Sequence, residues 1–246
     1  MTVPRIFQAT SLQVSQILSL DERASHHLAQ VLRATIGLDV IIFNGEGGEY
    51  LAKISNIHKK NVSVELIQFI DRDRESSFNL YLAQGIARGE KMDWIMQKAT
   101  ELGVKKIFPI ITERCNVKFD HEREAKRLTH WQSVVISACE QSGRTKIPDI
   151  SPIQTLEDVW PTLKADHCFV LSPHVLQAKQ KMQSGTQDAS ILLLVGPEGG
   201  LSDQEIHTAS AQGFLPLHLG PRILRTETAP LAALAIFQYR FGDMGF

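Results

Sequence analysis

The sequence predicts an α/β protein made of a small β domain followed by a larger domain with a parallel sheet. From Asp39 to Ile70 short β-rich runs follow one another with turn residues between them. Beyond Phe78, apolar strand-like runs alternate with helical stretches, the pattern of a parallel sheet covered by helices.

Near the N-terminus, Asp21 can cap a helix on which Leu28, Val31 and Leu32 share one face and which stops before Gly37. This helix is expected to plug the end of a barrel. The runs Asp39–Phe43, Tyr50–Ile54 and Val62–Phe69 are separated by the turn signals Asn44-Gly45 and Lys59-Lys60-Asn61, which predicts antiparallel pairing. Asp71 to Ser77 is polar without apolar periodicity, so the boundary falls there, giving a first domain over residues 1–72 and a second over 73–246. In the second, strands are expected around Leu80–Ala83, Ile107–Ile111, Phe169–Leu171, Ile191–Val195 and Leu215–Leu219. A helix over Lys91–Leu102 carries Met92, Ile95, Met96 and Ala99 at helical spacing, and a longer one carries Leu128, Trp131, Val135 and Ala138; both are core stripes.

With 246 residues, 43% of them hydrophobic and 22% charged, the chain can bury a real core. A net charge of -1 excludes a uniformly basic nucleic-acid coat, so an RNA face must be a local cluster. Residues 105–146 hold nine Lys or Arg against five Asp or Glu, which makes Arg114, Arg123, Lys126, Arg127, Arg144 and Lys146 candidates for phosphate contacts. Arg33, Arg88 and Lys91 are further candidates, although a single arginine on a helix also serves as a solvated face. Three cysteines without a Cys-x-x-Cys pair point to a reducing, cytoplasmic setting. Neither an export signal nor a membrane span is expected. The nine histidines lack metal-ligand spacing, so no metal is expected, and His27 fits a packing or RNA-contact role.

Chemistry concentrates in two glycine turns. The apolar run Ile191–Val195 enters Gly196-Pro197-Glu198-Gly199-Gly200, and an apolar strand meeting a glycine-rich turn is where α/β folds bind ligands. Ser202 and Glu205 have capping-box spacing and start the next helix. There is no Gly-x-Gly-x-x-Gly and no Gly-Lys-Ser/Thr, and Glu198 would repel a phosphate at roughly 4 Å by several kcal/mol. The loop therefore suits a ligand without phosphate, or it is a tight turn needing glycines for geometry alone. The run Phe214–Leu219 ends in a second turn, Gly220 to Pro230. The helix after it, Leu231–Phe237, is apolar nearly all round and should be buried, placing Arg225 and Glu227 beside core. Such charges are either used or joined in a structural ion pair.

Gly196–Gly200 together with Ile223–Ala229 resembles the cofactor-binding signature of the SPOUT-class ribosomal RNA uridine-N3 methyltransferases. Lys98–Val104 and Glu140–Arg144 resemble two further signatures of that family, and His27 and Val31–Arg33 with Phe43–Gly45 resemble its N-terminal domain. The similarity covers essentially the whole chain, with Leu201 standing where an aromatic residue is expected.

The resemblance implies a PUA-like β-barrel that binds RNA, a C-terminal SPOUT domain tied in a trefoil knot, a homodimer, and methylation of a small-subunit ribosomal RNA uridine at N3. Periodicity alone would predict an unknotted doubly wound sheet. The implied cofactor is S-adenosylmethionine, held by Leu194, Gly196, Pro197, Glu198, Gly199, Gly200, Leu219, Gly220, Ile223, Leu224, Thr228 and Ala229. Arg225 would stabilise the uridine anion, and Glu227 would orient that arginine or accept the proton. Two competing functions are a non-catalytic ribosome assembly factor and a Rossmann-type oxidoreductase; the latter would need a dinucleotide fingerprint that is absent.

Overall fold

The computed structural model describes residues 3–116, 121–172 and 189–245. The chain divides into two compact units, Met1–Glu75 with Cys139–Ile147, and Ser76–Ala138 with Pro148–Phe246.

The first unit contains β1 (Arg5–Phe7), β2 (Ile17–Ser19), a short helix α1 (Glu22–His26), β3 (Asp39–Phe43), β4 (Glu49–His58) and β5 (Asn61–Ile70). The strands form one sheet in the order β1-β3-β4-β5-β2. All neighbours pair antiparallel except β1 with β3. In β5, Val62, Val64 and Leu66 face the core while Glu65 and Ile67 face out, the period of a half-buried strand. Strands β1 and β2 are each three residues long, too short for alternation to reveal them.

Asp21 caps α1 as expected, its Oδ1 accepting the Ala24 N–H at 2.7 Å. Past His26 the helix widens into a π-helical turn, His27–Val31, in which the Leu32 N–H reaches His27 O at 2.9 Å. That widening rotates the later positions off the core face. Leu28 is fully buried, but Val31 and Leu32 are exposed, which corrects the single apolar face read from their spacing.

The returning segment Cys139–Ile147 is held to the first unit by charged groups. Glu140 accepts from the Phe7 N–H at 3.0 Å and from Arg23 Nη2 at 2.6 Å. Arg144 Nη2 lies 2.5 Å from Glu75 Oε2, each side chain only 5% exposed, and the Arg144 carbonyl accepts from Arg5 Nη2 at 2.9 Å. The fully buried Glu49 pairs with Arg5 and with Arg72. Arg144 is therefore a structural residue buried against a carboxylate, and it is not available to a phosphate as the charge cluster suggested.

In the same segment, burial pushes the Cys139 thiol up to about 12. The unfolded thiol ionises near its ordinary value, so this group's contribution to stability is complete below that value and is lost as pH climbs towards about 12. Iodoacetamide at pH 9 is expected to leave Cys139 unmodified in the folded protein and to alkylate it in urea, as peptide mass spectrometry would show.

The second unit contains β6 (Asn79–Gly85), α2 (Glu90–Glu101), β7 (Val104–Ile111), α3 (His121–Ser142) except its last four residues, which belong to the first unit, β8 (Asp149–Ile150), β9 (Gln154–Thr155), α4 (Leu156–Val159), β10 (His167–Leu171), β11 (Ser190–Val195), α5 (Asp203–Ala211), β12 (Leu215–Leu217) and α6 (Thr228–Phe241). Its sheet runs β12-β10-β11-β6-β7-β8, with β9 also on β7, and every pair is parallel. From Ile191 to Val195, β11 is apolar because it lies inside the sheet, between β10 and β6.

Helix α6 departs from expectation. Ala233, Leu234 and Phe237 are buried, but Ile236 is 52% and Tyr239 61% exposed, so the helix has one covered face and one open apolar face. Phe237 packs on Phe169 of β10 at 5.4 Å between ring centroids. Among the described residues no helix is long and apolar enough to cross a membrane.

Candidate active site

Strands β10, β11 and β12 end at one cavity of about 640 Å³, a volume within the range of small-molecule sites. Ligands bind at this end of parallel sheets because the loops leaving the strands converge there.

The first wall is the loop after β11. The Gly200 N–H donates to Pro197 O at 2.9 Å, closing the turn. A Cβ on Gly196 would lie 2.6 Å from the Gly200 carbonyl carbon, so only glycine allows the loop to fold back this tightly. Ser202 and Glu205 complete the capping box of α5, and the second Glu205 oxygen takes the Glu113 N–H at 2.8 Å. Glu198 Oε1 accepts from the Arg88 N–H and from Lys91 Nζ, both at 3.0 Å. Partial burial pushes the Glu198 carboxyl up. The hydrogen bonds from the Arg88 and Glu198 backbone N–H groups and the Lys91 ammonium together outweigh that effect, so the group stays below the ordinary glutamate value. Arg114 Nη1 donates to Gly199 O at 3.2 Å.

The second wall runs from β12 into α6. Gly220 turns the chain at φ +88°, and the Arg225 carbonyl accepts the Thr228 and Ala229 N–H groups at 2.9 Å. Arg225 and Glu227 both line the cavity, but no ion pair joins them, so the structural-pair alternative is not what forms. Arg225 is exposed, which corrects its expected place beside core: it lies in the loop before α6, on the wall of the cavity.

Of the residues expected at a cofactor, Gly196, Pro197, Glu198, Gly199, Gly200, Leu219, Gly220, Ile223, Leu224 and Ala229 line the cavity. Leu194 and Thr228 do not. Leu194 is a fully buried member of the core cluster, and Thr228 is the exposed first residue of α6. Lys91 and Arg114, expected at phosphates, line this cavity instead, while Arg33, Arg88 and Arg123 are exposed and Arg127 is half-buried. Leu171, Ser172, His218, Arg222 and Thr226 also line it and were missed. The position of Ser172 directly after a parallel strand was the signal that could have found it.

The wall suits a ligand that carries polar groups. Ser172 Oγ and Glu227 Oε2 are buried without a hydrogen-bond partner among the described residues, and both belong to the cavity lining. Orphaned buried oxygens in a ligand-sized cavity are the kind a polar ligand satisfies.

A parallel sheet with such a cavity, carried with a small β unit, fits the RNA methyltransferases. The family model described as RNA methyltransferase domain matches residues 74–238, and that described as RNA methyltransferase PUA domain matches residues 20–67. A ribosomal RNA small subunit methyltransferase E from Buchnera aphidicola (subsp. Schizaphis graminum) is 35% identical, covering 98% of each chain. One from Neisseria gonorrhoeae, solved bound to S-adenosyl methionine, is 37% identical with a TM-score of 0.90, covering 99% of this chain and 100% of that one. A methyltransferase from Legionella pneumophila, solved with the bound cofactor SAM, is 40% identical with a TM-score of 0.95 over the same shares. The chain belongs to the ribosomal RNA small subunit methyltransferase E family.

Proposed function

We propose that the protein methylates N3 of a uridine in small-subunit ribosomal RNA, using S-adenosylmethionine. The observation that carries this reading is the pairing, on one cavity wall, of the exposed Arg225 guanidinium with an unpartnered buried oxygen of Glu227. A uridine N3 must lose its proton before it can attack carbon. Arg225 stabilises the resulting anion, and Glu227, which makes no bond to Arg225, takes the proton. S-adenosylmethionine supplies a methyl group on a sulfonium, and the sulfur departs neutral. The loops 196–200 and 219–224, with Ala229 and Ser172, would hold it and set N3 in line.

The unit containing residues 1–72 is read as a PUA-like barrel that binds RNA, with its Arg33 on phosphates; in the second domain Arg88, Arg123 and Arg127 are read on phosphates and Lys91 and Arg114 near the target base. The domain over residues 73–246 is read as a SPOUT domain whose C-terminal part is tied in a trefoil knot. The open apolar face of α6, with Ile236 and Tyr239, supports a homodimer. The setting is cytoplasmic, and the target is an unpaired base, since a paired one cannot enter a pocket.

The test is transfer of labelled methyl from S-adenosylmethionine to small ribosomal subunits from cells lacking this protein, followed by nucleoside mass spectrometry. N3-methyluridine is the expected product. A ribose-methylated nucleoside, or no transfer, overturns the reading.

A further inference from the structure

The two walls of the cavity are tied together by a buried chain of hydrogen bonds that involves neither Arg225 nor Glu227. Gln84, at the end of β6, is fully buried and sits opposite Val195 in the sheet. Its Nε2 reaches Gly85 O at 2.8 Å, Gly196 O at 3.3 Å and Thr226 Oγ1 at 3.4 Å. Thr226 Oγ1 in turn donates to Gly196 O at 2.9 Å. The carbonyl that opens the first glycine loop is thus held both by the central strand and by a hydroxyl from the second loop. The strand end and first loop are in close contact, for a Cβ on Gly85 would lie 2.6 Å from Pro197 Cδ.

From this arrangement we infer that Thr226, supported by Gln84, is a positioning residue that sets the spacing between the two walls. Three features carry the inference. Thr226 is buried while Arg225 beside it is exposed and Glu227 is half-buried, so residue 226 is the fixed point from which the two flanking side chains project. The contact is buried, and buried hydrogen bonds in series reinforce one another. Without the hydroxyl, Gly196 O keeps only the longer bond to Gln84, and the second loop loses its side-chain tie to the first. Displacements of about 1 Å in a reacting group cost about 100-fold in rate.

The role rests on the methyltransferase reading, and the test separates the two. Affinity for S-adenosylhomocysteine is measured by calorimetry, and kcat and KM are measured with small subunits. Thr226→Val is expected to weaken binding about tenfold and to lower kcat about 100-fold. Thr226→Ser, which keeps the hydroxyl, should restore both to within about threefold of wild type. Thr100→Val is the control, because Thr100 is also buried and donates to Met96 O at 2.7 Å without lining the cavity. It should leave affinity and kcat near wild type even if the melting temperature falls. If Thr226→Val does not fold, Gln84→Met removes the donor at the other end and carries the same expectation. Wild-type affinity and kcat in Thr226→Val overturn the role, as does an equal loss in Thr100→Val. A wild-type chain that binds no S-adenosylhomocysteine overturns the underlying reading, and the role with it.

Discussion

Arg225→Ala is expected to lower methyl transfer about 100- to 1,000-fold, the size found when one preorganised donor to a developing anion is removed. S-adenosylhomocysteine affinity should stay close to wild type. The two readouts separate because Arg225 is exposed on the cavity wall, and its carbonyl, not its side chain, accepts the first N–H groups of α6. Truncating the side chain therefore leaves the loop intact. Arg225→Lys should recover part of the rate, since it returns a charge without the planar fork. If the alanine variant loses ligand affinity as severely as rate, Arg225 is a binding residue and the assignment to the uridine anion fails.

Arg144→Ala is expected to destabilise the first unit by about 3–5 kcal/mol, because it leaves the Glu75 carboxylate buried without its partner. Cys139 is a local reporter, lying in the same returning segment and fully buried. At about 1.4 kcal/mol per factor of ten, its alkylation should speed up by about two to three and a half powers of ten. Removing both charges, as Glu75→Leu with Arg144→Leu, should recover much of the loss, since an apolar pair avoids the desolvation penalty. Unchanged labelling in Arg144→Ala would sink the account, and would reopen Arg144 as a surface cation.

Much of the fold was legible because its signals are local. β3 falls at Asp39–Phe43, and β6, β7, β10 and β11 each contain their expected run while β12 stops two residues short of its own, since apolar runs and turn residues act over a few positions; the two-residue β8 and β9 were too short to be expected. The Asp21 cap, the capping box of α5 and the glycine turns were legible for the same reason. What escaped depends on long-range placement. Nothing near Arg144 in the sequence shows that Glu75, 69 positions earlier, will cover it. The π-helical turn after His26 defeated a helical wheel drawn at 3.6 residues per turn. At the site, periodicity cannot show that Leu194 points into the core while Ser172, on another strand end, faces the cavity. Thr226 was hidden between two charged residues that attracted the chemical reading.

The discontinuous make-up of the first unit bears on how the chain emerges during translation. Residues 76–138 must be synthesised before Cys139–Ile147 can join it. At about 5–20 residues per second, the 69 positions from Glu75 to Arg144 keep the carboxylate waiting about 3–14 s for its partner. Until then the nascent sheet carries an uncovered carboxylate and cannot reach its final stability. An N-terminal fragment cut at the domain linker would stay in that unfinished state.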